Sequence, residues 1–190
     1  MNVFVLCTGR CGSVTFNRAC QHITNYTSAH ESRAGMIGKE RFNFAANHIE
    51  VDNRLSWFLG RLDQSYGRDA FYVHLSRDLN AVATSYSKRS GKGIMRAYKS
   101  GVLIKAPRNL DDLAIATDYC HTIDSNIRLF LRDKPNKMEF KLENCVADFG
   151  VFWEAIGAQG DLDAAIVEWG KKYNPSGLKG FFEKVRNKVS

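Results

Sequence analysis

Proline is scarce in this sequence, which also lacks a long apolar run, a Cys-x-x-Cys pair and a Ser/Gly-rich linker. Three prolines occur among the 190 residues and no shift in composition marks a boundary, so we expect one domain over residues 1–190. No apolar stretch approaches the ~20 residues that cross a bilayer, which predicts no membrane span. The five cysteines, with no secretory leader before them, are typical of reduced thiols. We therefore expect a cytoplasmic protein, or one whose targeting signal has been removed.

Histidines at metal-ligand spacing are also missing. His22, His48 and His121 have no ligand partners nearby in the sequence, so we expect no metal site. His74 falls within a predicted strand, where a hydrogen-bonded core histidine is the expected role.

Apolar residues and positive charge are both plentiful. Hydrophobic residues make up 44% of the chain and aromatic residues 12%, which is enough for a core and excludes disorder or coiled coil throughout. Lys and Arg number 27 against 20 Asp and Glu, a formal net charge of +7. That excess indicates an anionic partner: nucleic acid, an acidic membrane surface or a phosphorylated small molecule.

Apolar segments alternate with segments of helical periodicity along the chain. Strands are predicted at residues 3–7, 26–30, 70–75 and 138–142. The predicted helices include residues 54–66 and 94–105, and residues 35–47 are left open as loop or helix. This alternation predicts a three-layer α/β/α fold with a mostly parallel central sheet, similar to P-loop NTPases. In such sheets ligands bind beyond the carboxyl ends of the strands.

The first of these carboxyl ends carries the sequence TGRCGSVT, residues 8–15, which we call the glycine loop. Gly9 and Gly12 permit a tight turn, and the N–H groups of residues 13–15 would face an anion at the start of a helix. Arg10 adds a fixed charge. The loop lacks the Gly-Lys-Ser/Thr sequence of a Walker A motif. On these residues alone, an ordinary glycine turn between strand and helix remains an alternative.

A second candidate site follows the predicted strand at residues 70–75. Arg77 stands at the end of this strand, and Ser85 follows eight residues later on the next predicted helix. Together these side chains can bind one phosphate through a charge-assisted and a neutral hydrogen bond. A surface pair of Arg77 with Asp78, and a serine bonded to its own helix, are the structural alternatives.

The two motifs together resemble the small sulfotransferases that use 3′-phosphoadenosine-5′-phosphosulfate (PAPS). The resemblance implies that the first loop holds the 5′-phosphosulfate, that Arg10 supports sulfuryl transfer, and that no metal is required. It implies that Arg77 and Ser85 bind the 3′-phosphate. Residues 140–145 resemble another strand end of the family. The loop residues carried over are Arg10, Cys11, Gly12, Ser13, Val14 and Thr15.

The sequence departs from the family in three ways. Val14 stands where a second hydroxyl residue is common, and Cys11 stands where Ser or Gly is commoner. The basic loop that closes over the 3′-phosphate has only poor matches, at residues 178–180, Lys171 or Lys172. The chain is also short for the family.

A general base is expected next to the glycine loop. His30 and Glu31 end the second predicted strand, and the resemblance implies that a Glu or His at such a place takes the acceptor proton. Glu31 is the expected base, with His30 beside it as the second candidate, and an exposed pair without function is the alternative. We expect an adjacent strand to bring the pair to the loop.

The function expected is sulfuryl transfer from PAPS to a hydroxyl or amine of an acceptor, such as a carbohydrate or small metabolite. A nucleoside or small-molecule kinase is one alternative, and a basic nucleic-acid-binding module is another. We expect no nucleic-acid partner because recognisable signatures for one are missing. The acceptor and the oligomeric state stay open. Aromatics that would line an acceptor pocket, or simply the core, are Trp57, Phe58, Tyr86, Trp153 and Trp169.

Overall fold

Five parallel strands form a single sheet in the computed structural model, which describes residues 1–105, 107, 109–171 and 173. The strand order is β2-β3-β1-β4-β5. Every neighbouring pair is parallel, so all carboxyl ends lie at one edge. This confirms the α/β class. The strands are β1 (Val3–Leu6), β2 (Thr27–His30), β3 (His48–Val51), β4 (Phe71–Ser76) and β5 (Lys137–Lys141).

Helices connect the strands, as the alternating pattern predicts. Four 3₁₀ segments within the described residues add short turns, at Gly38–Phe42, Asn53–Trp57, Leu142–Asn144 and Glu168–Gly170. Asp78 accepts the N–H of Ala81 and so caps α3. The α-helices are α1 (Ser13–Cys20), α2 (Leu59–Tyr66), α3 (Leu79–Ser87), α4 (Gly93–Ala97), α5 (Asp112–Leu131), α6 (Cys145–Ala155) and α7 (Leu162–Val167).

The continuous apolar sequence of β1 places it at the centre of the sheet. All four of its residues are buried, because alternate side chains enter cores on opposite faces. Val3 and Val5 pack with Phe16 of α1 in one core. Phe4 and Leu6 belong to the other core, together with residues of α3 and α5. Helices therefore cover both faces, an arrangement compatible with a three-layer α/β/α fold.

Strand β3 is the main feature that sequence patterning misses. His48 and Glu50 give it a polar appearance, yet Glu50 is fully buried and hydrogen-bonded. The helix predicted over residues 54–66 begins later in the structure, so its predicted start is wrong. A 3₁₀ turn at Asn53–Trp57 precedes α2.

The segment after α3 is less regular than predicted. Instead of one helix over residues 94–105, α4 is followed by a π-helical turn at Tyr98–Val102. Within the described ranges, no helix has both the length and the apolar character needed to traverse a lipid bilayer.

Candidate functional site

The glycine loop turns sharply between β1 and α1. Gly9, Arg10 and Gly12 all have positive φ, at 85°, 60° and 92°. A Cβ at Gly9 would lie 2.3 Å from the Tyr86 hydroxyl, and one at Gly12 would lie 2.7 Å from Leu142 Cδ1. Both glycines are therefore required by backbone conformation and by close packing.

Buried side chains hold the start of this loop in place. The hydroxyls of Tyr86 and Tyr119 both donate to the Thr8 carbonyl, at 2.7 and 2.9 Å. Ser56 Oγ donates to the Cys7 carbonyl at 3.2 Å. Burial raises the pKa of both tyrosines far above the ordinary value, so the phenols stay neutral donors. The loop is thus anchored before any ligand binds.

The loop delivers the amino end of α1 to the carboxyl edge of the sheet. Gly12 caps the helix without a side-chain bond, and the first turn holds no acidic residue. The N–H groups of residues 13–15 precede the first helical bond, from Phe16 to Gly12, and have no acceptor within the helix. Cys11 is fully buried, backbone included, so the prediction that it contacts the cofactor finds no exposed atom of this residue. This end of α1 is suited to an anion.

The second predicted motif lies against the first. Arg10 Nε donates to Ser85 Oγ at 3.1 Å, and Arg77 donates to the Arg10 carbonyl at 3.3 Å. Glu143, which follows β5, accepts the N–H of Asp78 at 2.9 Å. The structure thereby brings Arg10, Arg77 and Ser85 together from segments that are 67 and 75 residues apart.

The His30–Glu31 pair also lies next to the glycine loop, but, contrary to the prediction, the strand that carries the pair is not adjacent to β1. β3 separates β2 from β1, so the pair does not end a strand adjacent to β1. His30 Nε2 nevertheless lies 3.1 Å from Ser13 Oγ. Glu31 has a φ of 53° and forms an ion pair with Arg54 at 2.5 Å. The two residues therefore face different partners.

A buried carboxylate supports the turn after β2. Glu50 accepts hydrogen bonds from the Ser32 N–H at 2.7 Å and the Ser32 hydroxyl at 2.6 Å. His48 Nε2 lies 3.0 Å from Oε2 of this carboxylate, the oxygen that also accepts the Ser32 hydroxyl. Because Ser32 follows Glu31 directly, Glu50 fixes the backbone on which His30 and Glu31 stand.

A pocket of about 250 Å³ lies between these elements. Desolvation lowers the pKa of Arg10, and the nearby charges of Arg89 and Arg77 lower it further. A strongly positive field of this kind attracts an anion. The lining residues are Gly9, Arg10, Ser13, Val14, His30, Glu31, Asn53, Arg54, Tyr86, Arg89, Lys92, Gly93 and Ile94.

Sequence reasoning missed Asn53 and Arg54 of this pocket, and it did not place Arg89 and Lys92 in it. Asn53 and Arg54 follow β3, and they would have been found by the same strand-end rule had that strand been recognised. Arg89 and Lys92 belong to a basic turn after α3, which we define as residues 89–94. The positive charge of the basic turn is evident from the sequence, but its position in the pocket is not.

Other predicted groups lie elsewhere. Lys171 bonds Glu168 at 2.7 Å, whereas Lys172 and residues 178–180 fall outside the described residues. His74 is buried between Asp124 and Glu139, as a core histidine should be. No cluster of three or more potential metal ligands occurs among the described residues. Tyr86 lines the pocket, while Trp57 packs on Tyr119, Phe58 on Phe42, and Trp153 and Trp169 on Phe149.

Comparison with known proteins identifies no relative: no family model, no curated protein and no solved structure matches this chain.

Proposed function

We propose that this protein transfers a sulfuryl group from PAPS to an acceptor hydroxyl or amine, on a P-loop-like α/β fold and without a metal. One observation carries the proposal. Arg10 lies 3.1 Å from Ser85 and accepts a bond from Arg77, so the glycine loop and the second motif meet at one residue. A ligand with two anionic ends would engage both motifs together.

The residues present fit such a donor. The N–H groups of residues 13–15 are available for a 5′-phosphosulfate, and Arg10 stands beside them. Arg77 is exposed and Ser85 is half-buried, so both are accessible to a 3′-phosphate.

The chemistry requires little beyond positioning and charge stabilisation. When bound, PAPS supplies a sulfuryl group whose sulfur–oxygen bond to the phosphate breaks as the acceptor oxygen or nitrogen bonds to sulfur. Adenosine 3′,5′-bisphosphate is the second product. Arg10 and the N–H groups of residues 13–15 hold the negative charge that develops on the leaving oxygen. A general base accepts the proton of the acceptor.

Of the two candidate bases, we assign proton transfer to His30. Its Nε2 lies 3.1 Å from Ser13 Oγ, at the helix end that would hold the donor. Glu31 is already paired with Arg54 at 2.5 Å, so its carboxylate is engaged by another side chain. We therefore assign Glu31 a positioning role through Arg54.

A kinase is supported less well. Kinases of the P-loop type hold Mg²⁺ with a hydroxyl residue after the loop lysine and with an acid on a neighbouring strand. Asp52 follows β3, which adjoins β1, and so occupies a suitable strand end. Its buried carboxylate, however, pairs with Arg41 at 2.5 Å and accepts the Arg54 N–H at 2.7 Å. The acid is already engaged, and the loop lysine is missing.

Ligand-induced thermal stabilisation tests the proposal and separates the alternatives. Adenosine 3′,5′-bisphosphate at a hundred times its Kd should stabilise the fold by about 2.7 kcal/mol without Mg²⁺. Stabilisation by Mg-ATP alone would contradict sulfuryl transfer in favour of a kinase. Salt-sensitive binding to DNA with no effect of the bisphosphate would instead favour a nucleic-acid-binding module.

A further inference from the structure

Positive charge is concentrated in one segment of the chain. Residues 88–110 contain no Asp or Glu and seven basic residues, as many as the net charge of +7 for the whole protein. Lys99 is neutralised by Asp112, at 2.9 Å. The basic residues are Lys88, Arg89, Lys92, Arg96, Lys99, Lys105 and Arg108.

Two of these cations line the pocket that contains the candidate base. Arg89 and Lys92 share its wall with His30 and Glu31. The described lining includes neither Arg77 nor Ser85, the residues assigned to the 3′-phosphate. Arg10, which contacts both of those residues, is itself part of the lining. The pocket therefore spans the helix end proposed to hold the 5′-phosphosulfate and the candidate base, but its described lining does not include the 3′-phosphate residues.

The charges of the pocket do not balance. Glu31 is its one carboxylate among the described lining residues, and Arg54 neutralises it. Arg10 is assigned to the donor. Arg89 and Lys92 are exposed and form no ion pair with a carboxylate in the described part of the chain. Arg89 and Lys92 therefore remain available to bind a ligand that enters the pocket beside His30.

We infer that the acceptor is itself an anion, carrying a carboxylate, sulfate or phosphate group that Arg89 and Lys92 bind. This inference rests on the proposed function and names the class of its acceptor. Two neighbouring cations favour an acceptor with more than one charge, such as an acidic oligosaccharide, over a single small acid.

A matched pair of probes tests this assignment without any nucleotide. Trigalacturonate and its trimethyl ester have the same sugar backbone, but only the acid is charged. We expect the acid to bind about tenfold more tightly, since exposed ionic contacts are individually weak. Arg89→Gln combined with Lys92→Gln should abolish the preference. Lys88→Gln combined with Arg96→Gln removes the same charge outside the pocket lining and should retain it.

Three results would overturn the inference. The first is equal affinity of the wild type for the acid and the ester. The second is a loss of adenosine 3′,5′-bisphosphate affinity, greater in the pocket variant than in the control variant, with the acid preference kept; Arg89 and Lys92 would then serve the donor. The third is binding to phosphatidylserine vesicles, weakened equally in both variants, without a preference for the acid. Failure of the bisphosphate to bind the wild type would contradict the proposed function, while leaving the preference measurable.

Discussion

The glycine loop and the basic turn line the same pocket, but the protein holds them in different ways. Three hydrogen bonds from Tyr86, Tyr119 and Ser56 fix the first carbonyls of the loop. In the basic turn, Arg89 and Lys92 are exposed to solvent. Under the proposed function, the anchored loop is the donor side and the exposed side chains of the basic turn form the acceptor side. Pre-organisation lowers the entropic cost of binding where geometry matters most for group transfer.

The largest expected effect is a loss of reaction rate on substitution of His30, the proposed general base. His30→Gln should lower the rate of bisphosphate release from PAPS about 10²- to 10⁴-fold, because general-base catalysis is lost. The rate would be measured with water or an added hydroxyl compound as acceptor. His121→Gln, an exposed change on α5, is the matched control and should retain the wild-type rate. An unchanged rate in His30→Gln would remove His30 from this role.

Alanine substitutions at one glycine of each region test whether the glycine loop is held more rigidly than the basic turn. Gly9→Ala should destabilise the fold by about 2–5 kcal/mol, since the new Cβ meets the Tyr86 hydroxyl at a positive φ. Gly91 of the basic turn has open space around it, so Gly91→Ala should change stability by less than about 0.5 kcal/mol. Urea denaturation measures both values. Similar effects at the two positions would contradict the contrast.

The donor side should also depend on Arg77. Arg77→Ala should weaken adenosine 3′,5′-bisphosphate binding by about 1.5–3 kcal/mol, the usual value for a hydrogen bond to a charged group. Calorimetric titration gives the affinity, and Arg96→Ala provides an exposed control in α4. Equal affinities of Arg77→Ala and the wild type would argue against a 3′-phosphate site at this position.

The smallest effect tests the anchoring of the loop. Tyr86→Phe should cost about 1 kcal/mol near neutral pH, because Tyr119 still donates to the Thr8 carbonyl. Burial raises the pKa of Tyr86, so the unfolded chain releases this proton at lower pH than the folded protein does.

The sign of the pH dependence follows from that order of ionisation. The stabilisation from Tyr86 is complete below about pH 10 and declines above it, as the unfolded state ionises. Above that pH, the unfolding free energy of the wild type should fall more steeply than that of Tyr86→Phe, by ~1.36 kcal/mol per pH unit. Denaturation titrations at several pH values measure this difference. Parallel slopes would mean that Tyr86 ionises equally in both states.

The loop could be predicted from sequence because its signals are local. The fully apolar β1 followed directly by Gly9 and Gly12 marks a strand, a turn and a helix start. Strand β3 could not be recognised in the same way, since the buried Glu50 carboxylate depends on Ser32, a partner 18 residues away in the sequence. With that strand unrecognised, Arg54 was also missed.

The basic turn illustrates a second limit of sequence reasoning. Its charge is plain in the sequence, but its position depends on where α3 ends and how the chain turns afterwards. Arg89 N–H bonds to the Tyr86 carbonyl at 2.8 Å, which turns the backbone at the end of the helix. Tertiary packing then places Lys92 in the pocket. The hydrophobic periodicity of the sequence does not predict this position.

The most direct test of the central claim is a crystal structure of the protein with adenosine 3′,5′-bisphosphate. Our account places the 5′-phosphate at the N–H groups of residues 13–15 and the 3′-phosphate within hydrogen-bond distance of Arg77 and Ser85, leaving the side of the pocket near Arg89 and Lys92 open. Electron density showing the 3′-phosphate away from Arg77, or the 5′-phosphate away from the amino end of α1, would contradict it.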